Sequence, residues 1–311
     1  MPSITRRAPA KVNLTLSVGS RVVGGPRDGW HPIASWMACL DLSDMVTVTP
    51  GATTRHRVAW AADAPKPTPI DWPLERDLAV RAHRALEATI GHELPCSIVV
   101  EKRIPVGGGL GGGSSDAGAT LLALRDAFNL PLADTFLTAV GANLGSDVPF
   151  FVDEQHRPAV VSGFGEVVER TASIAGSRGG PHELLLIVPP FGCKTPEVYG
   201  AFDLIAPAGG PDVERVRRLA AGVPSPEAWF NDLEPAGERV EPRLAEIRAS
   251  ASEILGVRVM LTGSGSTLIA PDAVAARIGS LRAKLYSDRD ATGPFAGCVF
   301  VSTRFLEGRI G

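Results

Sequence analysis

Apolar and polar residues alternate with a period of two in three early segments: KVNLTLSV (11–18), DMVTVTP (44–50) and CSIVVEK (96–102). That period predicts strands with one buried face. Between the last two, residues 74–90 carry apolar side chains at helical spacing, and residues 125–145 read as further helix. Farther on, ELLLIVPP (183–190) predicts a short buried strand, residues 242–256 a helix, and residues 257–271 two strands around a glycine-serine turn. The proline-rich 61–73 and the glycine-rich 172–183 read as loops. The N-terminal half is thus mixed α/β, and the pattern breaks near 155–180. At 311 residues the chain exceeds the usual single core, so two domains, 1–160 and 161–311, are expected in an α+β arrangement.

One stretch fits no regular period. Residues 102–124 read KRIPVGGGLGGGSSDAGATLLAL, with glycine at every position of 107–113 except Leu110. Glycine costs roughly 0.5–1 kcal/mol in a regular element, so this density means either a linker or a backbone that must approach something closely. The flanks favour the second reading. A strand ends at Pro105, and Ser114, Ser115 and Asp116 offer N-cap side chains to a helix continued by Leu121, Leu122 and Leu124. A helix N-terminus presents unpaired N–H groups and about half a positive charge, so the natural guest is a phosphate. A Walker A loop would need Gly-Lys-Ser/Thr, whereas Gly113 runs straight into Ser114. The dinucleotide fingerprint threads through so many glycines by chance, and helix follows where a second strand closed by an acidic residue is needed.

Composition narrows the partner. A formal charge of −3 without a long basic block argues against a nucleic-acid surface. No run approaches the ~18 apolar residues of a membrane span, and the N-terminus lacks a signal-like apolar core. A cytoplasmic protein acting on a small molecule is expected. The four cysteines lie far apart with no C-x-x-C spacing, which points to reduced, structural thiols.

Three further islands bear chemistry. In APAKVNLTLSV, Lys11 and Asn13 fall on the same face of a strand. In LGSDVPFF, Asp147 follows a Gly-Ser turn, where by itself it reads first as a cap or turn residue. LTGSGSTLIA taken alone is a hairpin. In this order, together with PVGGGLGGGSS (105–115), DGWH (28–31), KTPEVY (194–199) and NDLE (231–234), they resemble the GHMP family of small-molecule kinases over most of the chain.

The resemblance implies an N-terminal nucleotide-binding α/β domain and a C-terminal α+β substrate domain meeting at a deep cleft. It implies ATP and Mg²⁺ as cofactors, with no protein ligand to the metal assigned. ATP would lie on Pro105, Gly107, Gly108, Gly109, Leu110, Gly111, Gly112, Gly113, Ser114 and Ser115, with Lys102 and Asp77 toward the adenine. Asp147 would take the proton of the acceptor hydroxyl, and Lys11 would hold Asp147 ionised. Within the family the similarity runs to members that phosphorylate the 2-hydroxyl of a cytidine diphosphate-linked methylerythritol, in the non-mevalonate route to isoprenoid precursors. Trp30 and Tyr199 would then clamp the cytosine and His31 would read its edge. Asn13 and Asp147 would meet the sugar-alcohol, while Thr195, Gly263 and Ser264 would line the cleft. Trp30 stands where the family has tyrosine, and Asp77 where it often has asparagine. The rival readings are a kinase of the same build for a sugar, mevalonate-like or homoserine-like alcohol, and a sensor that has lost catalysis. The sensor would be expected to lose Lys11, Asp147 or the loop serines. A monomer or weak homodimer is expected.

Overall fold

Two long strands, β1 (Ile4–Val18) and β2 (Ile33–Pro50), pair antiparallel along nearly their whole lengths and form the spine of a seven-stranded sheet. The computed structural model describes residues 2–172, 174, 183–205, 208–222, 225–271, 279 and 293–306. Both strands are longer than their alternation predicts. The first half of β2 is almost uniformly apolar because both of its faces are covered, so it shows no period of two. That half pairs with β5 (Ala159–Gly163), which carries β6 (Val167–Arg170) on its other side. The second half pairs with β4 (Cys96–Lys102), and β3 (Arg55–Trp60) adds in parallel beyond it. Neither β5 nor β6 is marked by sequence pattern. The first sheet thus runs past residue 160 to Arg170, and it also takes the two-residue β8 (Phe230–Asn231), parallel to β1 at Thr15 and Leu16.

The second sheet is antiparallel, in the order β11 (Val299–Arg304), β7 (Glu183–Val188), β10 (Leu268–Pro271), β9 (Met260–Leu261). The loop expected at 172–183 falls mostly outside the described residues. In the central β7, Leu184, Leu186 and Val188 face Val12, Leu14 and Trp36 of the first sheet, whereas Leu185 and Ile187 face the opposite core. That second core is closed by α5 (Thr195–Phe202), α7 (Glu234–Val240) and α8 (Arg243–Leu255), and α6 (Val213–Ala221) packs between the sheets. A third core joins β4 and the far half of β2 to α1 (Leu78–Ile90), α2 (Gly112–Ala127) and α3 (Asp134–Ala142). β1 threads all three, with Ala8 in one, Val12 and Leu14 in the next, and Leu16 and Val18 in the last. Each fully buried side chain of this size contributes about 1.5–3 kcal/mol, so β1 is held against displacement from several sides.

The entry to α2 corrects the sequence expectation. The N-cap is Gly111, in a left-handed conformation (φ 71°), and the helix begins at Gly112. Ser114, Ser115 and Asp116 lie within the first turns, and none of them caps the helix. With no side chain bonded there, the first N–H groups of α2 stay available to a ligand.

Candidate active site

Three loops converge on Lys11. The glycine loop of 107–111 is tied to β1 by the Lys11 N–H, which donates to Leu110 O at 2.9 Å, and the Leu110 side chain is buried in the core between the sheets. A Cβ on Gly111 would stand 2.9 Å from Lys11 Cγ. The turn between β9 and β10 packs on the same loop from the other side, so a Cβ on Gly109 would stand 2.9 Å from Thr262 O. Much of the bare backbone is therefore needed for loop-on-loop packing, before any ligand arrives. The third loop carries Asp147, at the start of α4 (Val148–Phe151).

Lys11 Nζ lies 3.5 Å from Asp147 Oδ2 and donates to Asn13 Oδ1 at 2.7 Å. The lysine side chain is 6% exposed and the aspartate 27%, so the pair is buried at the cation and open at the carboxylate. Asn13 has both ends of its amide in use, since Nδ2 donates to Ser35 Oγ at 2.7 Å. Within the protein its side chain reaches Lys11 and, on β2, Ser35. Gly263 closes this corner, where a Cβ would sit 3.5 Å from Lys11 Nζ. Asn231 of β8, named in the sequence only as part of NDLE, fixes that turn by donating to Leu261 O and Gly263 O at 2.9 and 2.8 Å. Thr195 Oγ1 and Ser264 Oγ meet at 3.0 Å.

The glycine loop and the start of α2 wall a cavity of about 260 Å³ together with Trp72, Arg76, Asp77, Leu78, Lys102 and Asp116. Trp72 and Arg76 were not anticipated. The sequence signal for them is weak, a tryptophan in a proline-rich loop just before a helix cap. Asp77 is spent locally, since it caps α1 through Ala79 N–H at 3.0 Å and accepts from Trp72 Nε1 at 3.1 Å. Lys102 lies buried between two carboxylates, 2.5 Å from Asp116 Oδ2 and bonded also to Asp44. Burial would depress Lys102, but Asp116 and Asp44 outweigh it and hold the ammonium above the ordinary lysine range. Two carboxylates around one cation leave an excess negative charge, and burial, with Asp44 beside it, pushes Asp116 well above the carboxylate range. Of the loop serines, Ser114 faces the Asp147 loop, 3.9 Å from where a Cβ on Gly145 would stand. Ser115 is buried and lines a separate groove with Arg6, Pro9 and His156.

Tyr199 and Trp30, the rings expected to clamp a cytosine, each have an aromatic neighbour of their own. Tyr199 of α5 packs on His31, with ring centroids 4.9 Å apart. Burial, and then the charge of Asp147, push the Tyr199 hydroxyl up to about 12. Trp30, 48% exposed, meets Phe164 edge-on at 6.2 Å, and the Arg27 guanidinium lies 5.0 Å from both ring centroids. Phe164 and Arg27 were not anticipated either.

A buried lysine paired with an accessible carboxylate, beside an uncapped helix N-terminus, is apparatus that phosphoryl transfer can use. Residues 77–155 match the family model described as GHMP kinases N terminal domain. Over 269 residues the chain is 35% identical to a kinase from Pelotomaculum thermopropionicum, covering 85% of this chain and 88% of that protein. The chain belongs to the GHMP kinases, which take the phosphoryl group from ATP. The Pelotomaculum relative is named 4-diphosphocytidyl-2-C-methyl-D-erythritol kinase, as is a relative from Heliobacterium modesticaldum, 32% identical over 89% of each chain. A crystal structure of 4-(cytidine 5'-diphospho)-2C-methyl-D-erythritol kinase superposes with a TM-score of 0.70 at 30% identity, covering 97% of this chain and 99% of its own. No helix among the described residues is long and apolar enough to cross a membrane.

Proposed function

We propose that the protein transfers the γ-phosphoryl group of ATP to the 2-hydroxyl of 4-diphosphocytidyl-2-C-methyl-D-erythritol. The observation that carries the reading is the Lys11–Asp147 pair, held where three loops meet. The N–H groups at the start of α2 receive the phosphates, with Gly107–Gly113 keeping the approach free of side chains. Asp147 takes the proton from the acceptor hydroxyl as its oxygen bonds to Pγ and the bond from Pγ to the β-phosphate oxygen breaks, releasing ADP. Lys11, 3.5 Å from Asp147 Oδ2, offsets charge growing on the transferred group. Tyr199 and Trp30 supply aromatic faces for the cytosine, and His31 reads its edge. We assign 1–160 to a nucleotide-binding domain and 161–311 to a substrate domain, with the acceptor held by residues of both. The protein acts in the cytoplasm, as a monomer or weak homodimer.

Mg²⁺ fits this arrangement. No cluster of three or more His, Cys, Asp or Glu side chains able to hold a metal exists among the described residues. Mg²⁺ seldom needs one, because it binds through one or two carboxylates, waters and the nucleotide phosphates. Asp116 lines the nucleotide cavity with a buried Oδ1 that has no hydrogen-bond partner, and it would hold the ion. The metal would neutralise charge on the β- and γ-phosphates.

The test is ATP consumption against a panel of alcohols. Turnover is expected with the cytidylylated methylerythritol and not with mevalonate, homoserine or simple sugars. Turnover with one of the others alone would overturn the acceptor and leave the kinase.

A further inference from the structure

The two ring nitrogens of His31 have different surroundings. Nε2 lies 2.7 Å from Asp203 Oδ1, and the imidazole is 5% exposed. The ring packs on Tyr199 and, with a centroid distance of 6.2 Å, on Phe202. Turning it over would break the Asp203 bond and disturb both ring contacts. Asp203 is the C-cap residue of α5, and its N–H donates to Tyr199 O at 3.0 Å, so the turn that carries Tyr199 also carries the carboxylate. Nδ1 has no hydrogen bond among the described residues and is not fully buried. An ionised carboxylate can only accept. In the neutral imidazole Nε2 must therefore carry the proton, and Nδ1 must present a lone pair.

We propose that Asp203 is a positioning residue for base selection: it locks His31 in the Nε2–H tautomer, so that Nδ1 accepts from the exocyclic amino group of cytosine and rejects uracil. The inference rests on the reading of His31 as the residue that meets the base edge. Cytosine offers an N4 amino donor, whereas uracil puts a carbonyl oxygen at the same place. Two acceptors facing each other leave both unpaired, and a site built for a donor discriminates strongly against an analogue that lacks it.

The experiment compares kcat/KM for cytidine diphosphate-linked and uridine diphosphate-linked methylerythritol in the wild type and in Asp203→Ala, Asp203→Asn and Asp203→Glu. The wild type should favour the cytidine compound by about 10²-fold or more. Asp203→Ala releases both tautomers, and the ratio should fall by about tenfold, corresponding to about 1.4 kcal/mol. Asp203→Asn should lower it further, because its amide can donate to Nε2 and move the proton to Nδ1. Asp203→Glu should restore part of the preference, and KM for ATP should hold throughout. The ring ¹⁵N signals of His31, assigned by their loss in His31→Gln, report the tautomer without turnover and should show a protonated Nε2 and a bare Nδ1. A wild-type ring protonated at Nδ1 overturns the inference, as does an unchanged ratio in folded Asp203→Ala and Asp203→Asn. A wild type that turns over neither compound, or both equally, removes the cytidine reading itself. In that event the Asp203 lock still stands or falls on the ¹⁵N signals.

Discussion

The proposed catalytic corner at Lys11 and the proposed stacking mouth at Trp30 are built in opposite ways. Lys11 and Asn13 sit inside a central strand, and each polar atom is answered by another: Lys11 by Asn13 and Asp147, the Asn13 amide by Ser35, and the Asn13 N–H by Thr262 Oγ1 at 2.8 Å. At the mouth, Trp30 rides on a loop held by its own turns, with Val22 N–H donating to Trp30 O and Gly24 N–H to Asp28 Oδ1. The chemistry explains the difference. Charge stabilisation in a transition state depends on groups fixed in advance, whereas stacking tolerates small shifts because every base presents a π-face.

The largest expected effect would break the catalytic side of that contrast. Asp147→Asn keeps the shape and removes the base, so kcat should fall roughly 10²–10⁴-fold with little change in either KM. Lys11→Met should also lower kcat, and the double variant should lose much less than the product of the single losses, since both groups act on one transition state. A folded Asp147→Asn enzyme with near-normal kcat would mean that Asp147 is only a turn residue.

Lys102 sharpens the comparison, because it is a buried cation like Lys11 but is matched by two carboxylates away from the acceptor. Lys102→Met leaves Asp44 and Asp116 facing each other with no cation between them, and should cost about 3–5 kcal/mol of stability in denaturant unfolding. If that variant unfolds normally and loses only ATP affinity, Lys102 serves the nucleotide directly.

At the mouth the losses should be smaller and confined to the acceptor. Tyr199→Ala should raise the acceptor KM by an amount worth about 1–3 kcal/mol, and the half-exposed Trp30→Ala by about 1 kcal/mol, with KM for ATP nearly constant. Equal rises in both constants would make these rings supports of the fold.

The smallest effect concerns the cradle. Gly111 is a poor probe, since any Cβ there collides with Lys11. At Gly113 a Cβ meets only Leu78, at 3.4 Å, so Gly113→Ala should stay folded and raise KM for ATP by less than about tenfold, or 1.4 kcal/mol. An unchanged ATP KM would place the phosphates elsewhere.

Much of this was legible in the chain because local pattern reports local structure. The alternation in residues 11–18 put Lys11 and Asn13 on one face, and their 2.7 Å bond agrees. The order of strand, glycine loop and helix at 96–127 also holds. The first half of β2 escaped because a strand buried on both faces loses its period of two. β5 and β6 escaped because they are short.

What the sequence determined by itself was the kind of backbone at each place and the chemical groups available along it. Which groups meet was decided only by the tertiary structure. Lys11, Asp147 and Gly263 come together from distant parts of the chain, Lys102 finds Asp44 and Asp116, Ser115 lines a groove with Arg6 and His156, and His31 takes Asp203 as its partner. The reason is physical. Periodicity records how one segment divides its side chains between core and solvent, whereas a contact between distant residues depends on strand register and on which surfaces the packed cores press together.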